Sequence, residues 1–231
     1  MSLDQVLAML AGLSDEERHR ILRTLRQDFG VSIHPLETAW RTTAEAILEA
    51  IHTSPDLTQR GVRGILAEAT FRTTVVPEQL NGWESVPIHG DLPYDLLLSN
   101  HRFEVKVQVK NQRRERGEPK IDRRLTDESG CQVYVVETQR TRNGQAPTGN
   151  GEAAATRPYR FGEFDLLAVC LQPSSGIWTD FIYCAGHRLL ARPHAPTLLK
   201  VMQPVYSDCS RGWTRDFSQA AEEAMAHANG M

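Results

Sequence analysis

Three charged residues near the middle of the chain could form a metal-dependent hydrolytic site. Asp95 precedes an apolar run, and Glu104 and Lys106 lie in the alternating segment that follows it. If the two segments form a hairpin, the carboxylates of Asp95 and Glu104 converge, and they repel each other unless a divalent cation lies between them. Hard cations such as Mg²⁺ prefer oxygen ligands. With the Lys106 ammonium nearby, the set suits phosphodiester hydrolysis, because a cation offsets the negative charge that develops.

The surrounding residues predict two β-strands joined by a turn, which would position this set. The apolar run after Asp95 breaks at Ser99 and Asn100, and residues 103–109 then alternate strictly between apolar and polar. Side chains alternate across a strand, so the valines of the second strand share one face. The opposite face carries four polar residues: Glu104, Lys106, Gln108 and Lys110.

A solvated strand face is the alternative interpretation of the same triplet. Glu-x-Lys arises easily by chance, and Glu118-Pro119-Lys120 is a second instance in this chain. An exposed edge strand also alternates charges, because charges oppose edge-to-edge association. On the residues alone, a metal site and a solvated face therefore have about equal support.

The pattern Pro93-Tyr94-Asp95 followed by Glu104-Val105-Lys106 resembles the Pro-Asp…(Asp/Glu)-x-Lys signature of the restriction-endonuclease-like nuclease superfamily, with one residue inserted between Pro and Asp. The resemblance implies that Asp95 and Glu104 bind Mg²⁺. It further implies that Val105 offers its backbone carbonyl to the metal and that Lys106 assists the attacking water. The expected activity is a Mg²⁺-dependent endodeoxyribonuclease that cuts duplex DNA, most simply a type II restriction enzyme. Such an enzyme would be a homodimer, because palindromic targets match two-fold symmetry, with a separately encoded DNA methyltransferase as companion.

Two further positions bear on the same site. Asp91 is a rival for the first aspartate, but it lies before Pro93 and away from the strand, so Asp95 is preferred. Gln108 lies on the same strand face as Lys106, and we expect it to act as a further catalytic residue that contacts phosphate or metal-associated water.

A helix predicted from about residue 58 to residue 71 precedes these strands. The resemblance implies that Glu68 of this helix reaches the metal as a further ligand; a solvated glutamate is the alternative. Gly61 and Gly64 fall on the same flank at 100° per residue. They predict a close approach of this flank to other backbone.

A basic segment follows the candidate site. Residues 106–124 contain eight cationic side chains and three acidic ones. Such runs usually form solvated loops, but the adjacent carboxylates favour contact with DNA phosphates. Residues 140–157 are rich in Gly, Asn, Thr and Ala, which predicts an exposed loop with groups that can contact base edges. The predicted DNA contacts are Lys110, Gln112, Arg113, Arg114, Arg116, Lys120, Arg123, Arg124, Arg140, Arg142 and Asn143.

Composition limits the class of protein. The 231 residues are 40% hydrophobic and 24% charged, with a formal net charge of −3, so nucleic-acid binding has to depend on local basic patches. The apolar runs are too short to span a bilayer and the N-terminal segment does not resemble a secretion signal, so a cytoplasmic protein is expected. The four cysteines form no Cys-x-x-Cys pair, which argues against zinc.

The predicted organisation is an N-terminal helical subdomain over residues 1–55 and a nuclease core with a C-terminal helix over residues 56–231. Ser14 and Glu17 form a capping-box signature, Gly30 ends that helix, and Pro35 begins another that continues to Ile51. The fold class is α/β, a restriction-endonuclease-like mixed sheet of about five strands flanked by helices. Short strands are predicted at 73–76, 83–88, 132–138, 164–171 and 177–184.

Two other functions fit the same sequence. One is a repair or recombination nuclease that recognises DNA structure instead of base sequence. The other is a catalytically silent DNA-binding subunit that keeps the fold.

Overall fold

A computed structural model describes residues 2–32, 34–139 and 158–229. The chain divides into two compact units, Met1–Gln59 and Arg60–Met231. The predicted boundary after residue 55 coincides with the start of a helix that continues across this division. The helices up to that point are α1 (Leu3–Ala11), α2 (Asp15–Phe29), α3 (Pro35–Trp40), α4 (Ala44–His52) and α5 (Asp56–Thr70).

The helices of the first unit begin and end at recognisable capping residues. The Ser14 hydroxyl accepts from the Glu17 N–H at α2, and Gly30 ends that helix with a left-handed φ of 64°. The single helix predicted from Pro35 is two helices, because Arg41 adopts a left-handed φ of 51° after α3 and Thr43 caps α4. The described side chains of residues 2–59 are all at least partly exposed.

The second unit continues from α5 through a π-helical turn (Phe71–Val75) into a series of strands and short helices. The elements before residue 140 are α6 (Val76–Gln79), β1 (Glu84–Val86), β2 (Leu96–Ser99), β3 (Glu104–Asn111), β4 (Arg114–Glu115), β5 (Glu118–Pro119), α7 (Arg123–Ser129) and β6 (Val133–Glu137). The later elements are β7 (Leu166–Cys170), α8 (Gln172–Ser175), β8 (Phe181–Ala185), a 3₁₀ turn (Gly186–Arg188), β9 (Ala191–Arg192), β10 (Ala195–Leu199), β11 (Met202–Tyr206), β12 (Trp213–Thr214) and α9 (Phe217–Asn229).

Six of these strands form one mixed sheet in the order β1-β2-β3-β7-β8-β12. Neighbouring strands are antiparallel except β3 and β7, which run parallel with Val107 opposite Leu166 and Asn111 opposite Cys170. β6 and β11 form a separate antiparallel pair, and so do β4 with β5 and β9 with β10. The predicted fold class, a mixed α/β sheet flanked by helices, is confirmed, with six strands in place of about five.

The sheet separates two clusters of buried side chains. On one face the valines of β3 pack with Phe71 after α5 and with Phe217 of α9. On the other face Leu167 and Ile182 pack with residues of the β6–β11 pair such as Val205. The sheet is therefore covered by helices on one side and by a second β layer on the other.

Three local predictions are wrong. Residues 73–76 are helical, because the π-helical turn prolongs α5 directly into α6. The part of the basic segment from Gln112 to Lys120, expected to be a loop or mobile arm, contains the β4–β5 hairpin. A Cβ placed on Gly61 or Gly64 would meet no described atom within 4 Å, so α5 makes no close backbone approach there. Over the described ranges, the structure has no helix long and apolar enough to cross a membrane.

Candidate functional site

The register of β2 and β3 determines which side chains face Asp95. Leu96 lies opposite Val107, and the Asp95 N–H donates to the Val107 carbonyl at 3.0 Å. Extending the antiparallel pairing by one residue therefore places Asp95 beside Gln108. Both residues lie on the strand face turned away from the valines of β3.

The predicted meeting of Asp95 with Glu104 is wrong. Glu104 lies opposite Ser99, next to the turn, and its side chain is exposed. Ser99 lies four positions after Asp95, which corresponds to about 13 Å along a strand. The Glu104 carboxylate therefore does not converge with that of Asp95, so the two cannot share one ion.

The other two residues of the predicted triplet also lie away from Asp95. Val105 is fully buried among the core valines. The backbone N–H of Lys106 donates to Asp165 Oδ2 at 2.9 Å, so Asp165 joins β3 to the start of β7. Lys106 shares the face of Gln108 but lies two residues nearer the turn, about 7 Å along the strand.

Asp95 instead binds two consecutive residues of β3. Its Oδ2 accepts the Val109 N–H at 2.8 Å and also accepts the Gln108 side-chain Nε2. The Tyr159 hydroxyl donates to Gln108 Oε1 at 3.0 Å and so fixes the orientation of that amide. Within the described ranges, no donor reaches the second carboxylate oxygen of Asp95, Oδ1.

Glu68 reaches the same place from α5. Arg72, one turn later, donates from Nη2 to Glu68 Oε1 at 2.6 Å and to the Asp95 backbone carbonyl at 3.4 Å. Burial raises the pKa of Glu68, and the negative charge of Asp95 raises it further. The charges of Arg72 and Lys110 act in the opposite direction. Glu68 and Asp95 therefore lie close enough to repel each other.

Lys110 completes the group. Burial lowers the pKa of its ammonium, whereas the negative charges of Asp95, Glu68 and Glu137 raise it. Burial likewise raises the pKa of Asp95, and the charge of Lys110 opposes that change most strongly. The Lys110 Nζ also lies 5.6 Å from the centre of the Tyr159 ring. We call Glu68, Asp95, Gln108 and Lys110 the acid–lysine cluster.

Glu137 extends the cluster on the side of β6. Its Oε2 accepts from Arg60 Nη2 at 2.9 Å and from Arg113 Nη1, and its Oε1 accepts from Gln139 Nε2. Two guanidinium groups are thus paired with a carboxylate whose charge also acts on the Lys110 ammonium.

The donor set of the cluster suits a hard divalent cation. The part of the chain that the structure describes contains no group of three His, Cys, Asp or Glu side chains placed to hold a metal ion. Glu68 and Asp95 nevertheless supply two carboxylates whose pKa values are raised by burial, and Asp95 Oδ1 has no hydrogen-bond donor among the described residues. Mg²⁺ is usually bound through one or two carboxylates, with waters and substrate phosphates as its other ligands. These residues therefore fit the expected metal.

The structure places the predicted DNA contacts in different surroundings, and some of them are exposed. Gln112 is only 2% exposed, so the prediction that it contacts DNA is wrong. Lys110 belongs to the acid–lysine cluster, and Arg113 is paired with Glu137. Arg140, Arg142 and Asn143 lie outside the described residues. The exposed contacts are Arg114 and Arg116 on the β4–β5 hairpin with Arg123 and Arg124 on α7.

Two basic residues in or next to the β4–β5 hairpin have partners of their own. Arg114 donates from Nε to the Gly117 carbonyl at 2.9 Å across the hairpin. Lys120, which is partly exposed, forms an ion pair with Glu115 at 2.9 Å. The β4–β5 hairpin therefore presents few cations that are not already engaged, although it follows directly on the strand that carries Lys110.

Several members of the site were not identified from the sequence. Glu137 could have been identified as a candidate, because it is an acidic residue at the end of an otherwise apolar strand. Arg72 lies four residues after Glu68, and this spacing predicts an ion pair on one helix face. The contact of Tyr159 with Gln108 joins residues far apart in the chain and has no local signal.

No protein-family model matches this sequence, and no curated protein matches it. Among solved structures, the chain is similar to a bacterial homing endonuclease, I-Ssp6803I, with 19% sequence identity. The similarity covers 58% of this chain and 79% of that one, with a TM-score of 0.30. At this level of structural similarity, the function has to be argued from the side chains of the site.

Proposed function

We propose that the unit Arg60–Met231 hydrolyses phosphodiester bonds in DNA with a divalent cation bound at the acid–lysine cluster. The observation that supports this function is the convergence of two partly buried carboxylates, Glu68 and Asp95, with the partly buried amine of Lys110. Groups with perturbed pKa values that gather in one place are typical of catalytic sites. The combination of carboxylates with an amine suits a phosphoryl substrate.

In this proposal Glu68 and Asp95 would hold Mg²⁺, and Asp95 would use Oδ1 because Oδ2 already accepts two hydrogen bonds. The backbone carbonyl of Val109 takes the ligand role that the sequence resemblance gave to Val105. A bound divalent cation would polarise the phosphate and lower the pKa of a coordinated water.

Lys110 takes the role expected of Lys106. Because burial lowers the pKa of its ammonium, Lys110 exchanges a proton with water more readily than an exposed lysine does. Gln108 orients Asp95 through its Nε2, and the Tyr159 hydroxyl holds the Gln108 amide in that orientation. The motif thus becomes Gln108-Val109-Lys110, with an amide where the resemblance has a carboxylate.

The more specific proposal is a type II restriction enzyme that cuts duplex DNA at a short sequence as a Mg²⁺-dependent homodimer. A DNA methyltransferase would then protect the same sequence. Basic side chains close to the cluster, such as those of Arg60, Arg72 and Arg113, would meet the phosphates. A nuclease that recognises DNA structure would differ in substrate, since it would cut only flaps, junctions or ends.

The test compares two lysines of the same strand. Supercoiled plasmid and phage DNA are incubated with the protein in Mg²⁺ or Mn²⁺, and the products are resolved on gels and end-mapped. We expect Lys110→Met to slow cleavage by at least about 100-fold, the usual contribution of a group that transfers a proton. DNA affinity should change little, because the proposed role concerns the transition state.

Lys106→Met is the matched control and should cut at close to the wild-type rate, and so should Glu104→Gln. If these two variants are inactive while Lys110→Met cuts normally, the assignment to the acid–lysine cluster is wrong. Discrete bands support a sequence-specific enzyme, whereas cleavage of flaps or junctions alone removes the restriction proposal. Sedimentation of the protein on its target DNA measures the proposed dimer.

A catalytically silent DNA-binding subunit is the second candidate, and Gln108 is the observation that favours it. An amide supplies less negative charge than the carboxylate expected there, so the cation would be held by fewer charges. Calorimetric titration with Mn²⁺ separates the two functions. Binding that Asp95→Asn abolishes supports the nuclease, and an absence of binding to the wild type supports the silent subunit.

A further inference from the structure

A cavity of about 560 Å³ lies at the β12 edge of the six-stranded sheet, away from the acid–lysine cluster. Its walls come from α7, the 3₁₀ turn after β8, the loop between β10 and β11, and the loop that leads into β12. β12 is three strands away from β3 in the sheet, a separation of about 14 Å at the usual strand spacing. The cavity shares no residue with the acid–lysine cluster.

The cavity wall is strongly positive. Four cationic side chains line it, Arg124, Arg188, Lys200 and Arg211, against the single carboxylate of Glu223. Two of these cations have acidic partners, because Arg124 pairs with Glu128 and Arg188 pairs with Glu223.

Lys200 and Arg211 make no ion pair with any carboxylate of the described ranges. A concave surface with uncompensated positive charge attracts anions. The two residues therefore provide the positive charge that is available to a ligand.

The loops that carry these two residues are held in place. The Gln203 side chain is 1% exposed; its Nε2 donates to the Lys200 carbonyl at 2.8 Å and to the Leu190 carbonyl at 2.9 Å. Its Oε1 accepts the Leu190 N–H at 2.8 Å. One buried amide thus joins two walls of the cavity and fixes the backbone of Lys200.

Arg211 is held in an uncommon conformation. Its φ is 55°, in the left-handed region that side chains other than glycine rarely adopt. Its guanidinium lies 5.4 Å from the centre of the Tyr206 ring. The next residue, Gly212, leaves room for Arg188, since a Cβ there would lie 3.2 Å from Arg188 Cγ. Backbone strain of this kind often marks ligand sites.

We propose that this cavity binds a phosphate group carried by a nucleotide. Lys200 and Arg211 would contact the phosphate, because guanidinium and ammonium groups form charge-assisted hydrogen bonds with phosphate oxygens. Leu190 in the wall, which is 42% exposed, supplies apolar surface for a base or sugar. The phosphate can come from a free nucleotide or from the end of a DNA strand, and these sources share one chemistry.

The test measures binding to the full chain in EDTA, so that a cation at the acid–lysine cluster does not contribute. Isothermal titrations use pyrophosphate, deoxyadenosine monophosphate and deoxyadenosine. We expect both phosphate compounds to bind and deoxyadenosine to bind at least about tenfold more weakly, because the charge-assisted bonds are lost. An oligonucleotide with and without a terminal phosphate then distinguishes a strand end from a free nucleotide.

The double variant Lys200→Gln/Arg211→Gln should bind both phosphate compounds at least about tenfold more weakly than the wild type. Arg20→Gln/Arg23→Gln removes the same charge from exposed positions of α2 and should change affinity by less than about twofold. Equal affinities of the two double variants, or no phosphate binding by the wild type, would overturn the proposal. Circular dichroism checks that both fold. Plasmid cleavage by Lys200→Gln/Arg211→Gln is scored separately, so failure of this site and failure of the nuclease proposal remain distinct.

Discussion

The surroundings of Asp95 destabilise its charged form in the folded protein. Burial raises its pKa above the ordinary value of 3.8, and the charge of Lys110 only partly offsets this effect. A carboxyl group with a raised folded pKa contributes stability at low pH, where it is protonated. That contribution is lost as pH rises from 3.8 through the raised value. A cation bound at Oδ1 would relieve this cost at neutral pH.

Asp95→Asn should therefore stabilise the protein at neutral pH in the absence of divalent cations. We expect a higher free energy of unfolding, within the range of about 0.5–3 kcal/mol found for single substitutions. The difference from the wild type should shrink on acidification, because the wild-type carboxyl then becomes neutral as well. Urea denaturation across a pH series measures both effects.

Asp91→Asn, at an exposed position, is the control for this measurement. It should leave the free energy of unfolding within about 0.5 kcal/mol of the wild type. If Asp95→Asn is less stable than the wild type at neutral pH, the charge of Asp95 stabilises the fold and the expected sign is wrong.

At the scale of residues, the sequence indicated which residue types could form the site. It indicated less well which side chains would contact one another. Asp95 and Gln108 were candidates from their positions and Glu68 from the resemblance, and the structure brings the three together. Glu104 and Lys106 were chosen because their triplet matched a motif, and the match took no account of strand register. Lys110 was assigned to DNA because it belongs to the basic segment, and its contact with the Tyr159 ring joins positions 49 apart in the chain.

The β2–β3 hairpin determines the composition of the acid–lysine cluster. In an antiparallel pair, each step away from the turn advances one residue on both strands. Starting from Ser99 opposite Glu104, four steps place Asp95 beside Gln108. The turn at Asn100 was visible in the sequence, so this register could have been counted once the turn length was known.

The length of that turn is a property of the folded backbone. Asn100 Oδ1 accepts the N–H groups of Arg102 at 3.1 Å and Phe103 at 3.2 Å, and His101 has a left-handed φ of 66°. An Asn side chain that binds nearby backbone is a known turn device. Several turn lengths are compatible with such a device, which is why the strands were predicted but their pairing was not.

Alanine substitutions at two glycines should change the free energy of unfolding in opposite directions. A Cβ on Gly186, in the 3₁₀ turn after β8, would lie 2.8 Å from the Phe164 carbonyl oxygen. We expect Gly186→Ala to lower the free energy of unfolding by about 1–3 kcal/mol, the usual cost of overpacking. Gly64→Ala, in the open middle of α5, should raise it by about 0.5–1 kcal/mol.

Urea denaturation measures both glycine variants under the same conditions. Equal free energies of unfolding would show that the close approach at Gly186 is not a constraint on the fold.

For the whole molecule, both clusters of buried side chains lie in the second unit. The described buried residues begin at Ala67 and end at Ala224, and the described part of the first unit contributes none of them. A shorter chain that keeps α5 therefore keeps the core. Hydrophobic burial is the main source of folding free energy.

The fragment 56–231 should accordingly fold by itself. We expect it to unfold cooperatively, with a Tm within about 5 °C of the full chain, because the core it carries is unchanged. Differential scanning calorimetry and near-ultraviolet circular dichroism measure this. The full chain is the reference, and a fragment without near-ultraviolet signal would contradict the prediction.

The class of fold was predictable because strands in the sheet carry local signals. Alternation marked β3, and continuous apolar runs marked β7 and β8, which are buried on both faces. The β6–β11 pair and the short strands β9, β10 and β12 depend on partners that are distant in the chain. Local patterns do not encode such pairings.

The parallel pairing of β3 with β7 also sets an order of assembly. The β2–β3 hairpin closes a short loop, and hairpins of this kind form in about 1–10 μs. The β3–β7 pairing has to enclose everything from Gln112 to Asp165, and long-range pairing of this type is slow. We therefore expect Asp95, Gln108 and Lys110 to become neighbours early in folding. We expect Tyr159, whose ring centre lies 5.6 Å from the Lys110 Nζ, to join them only when the late β3–β7 pairing forms.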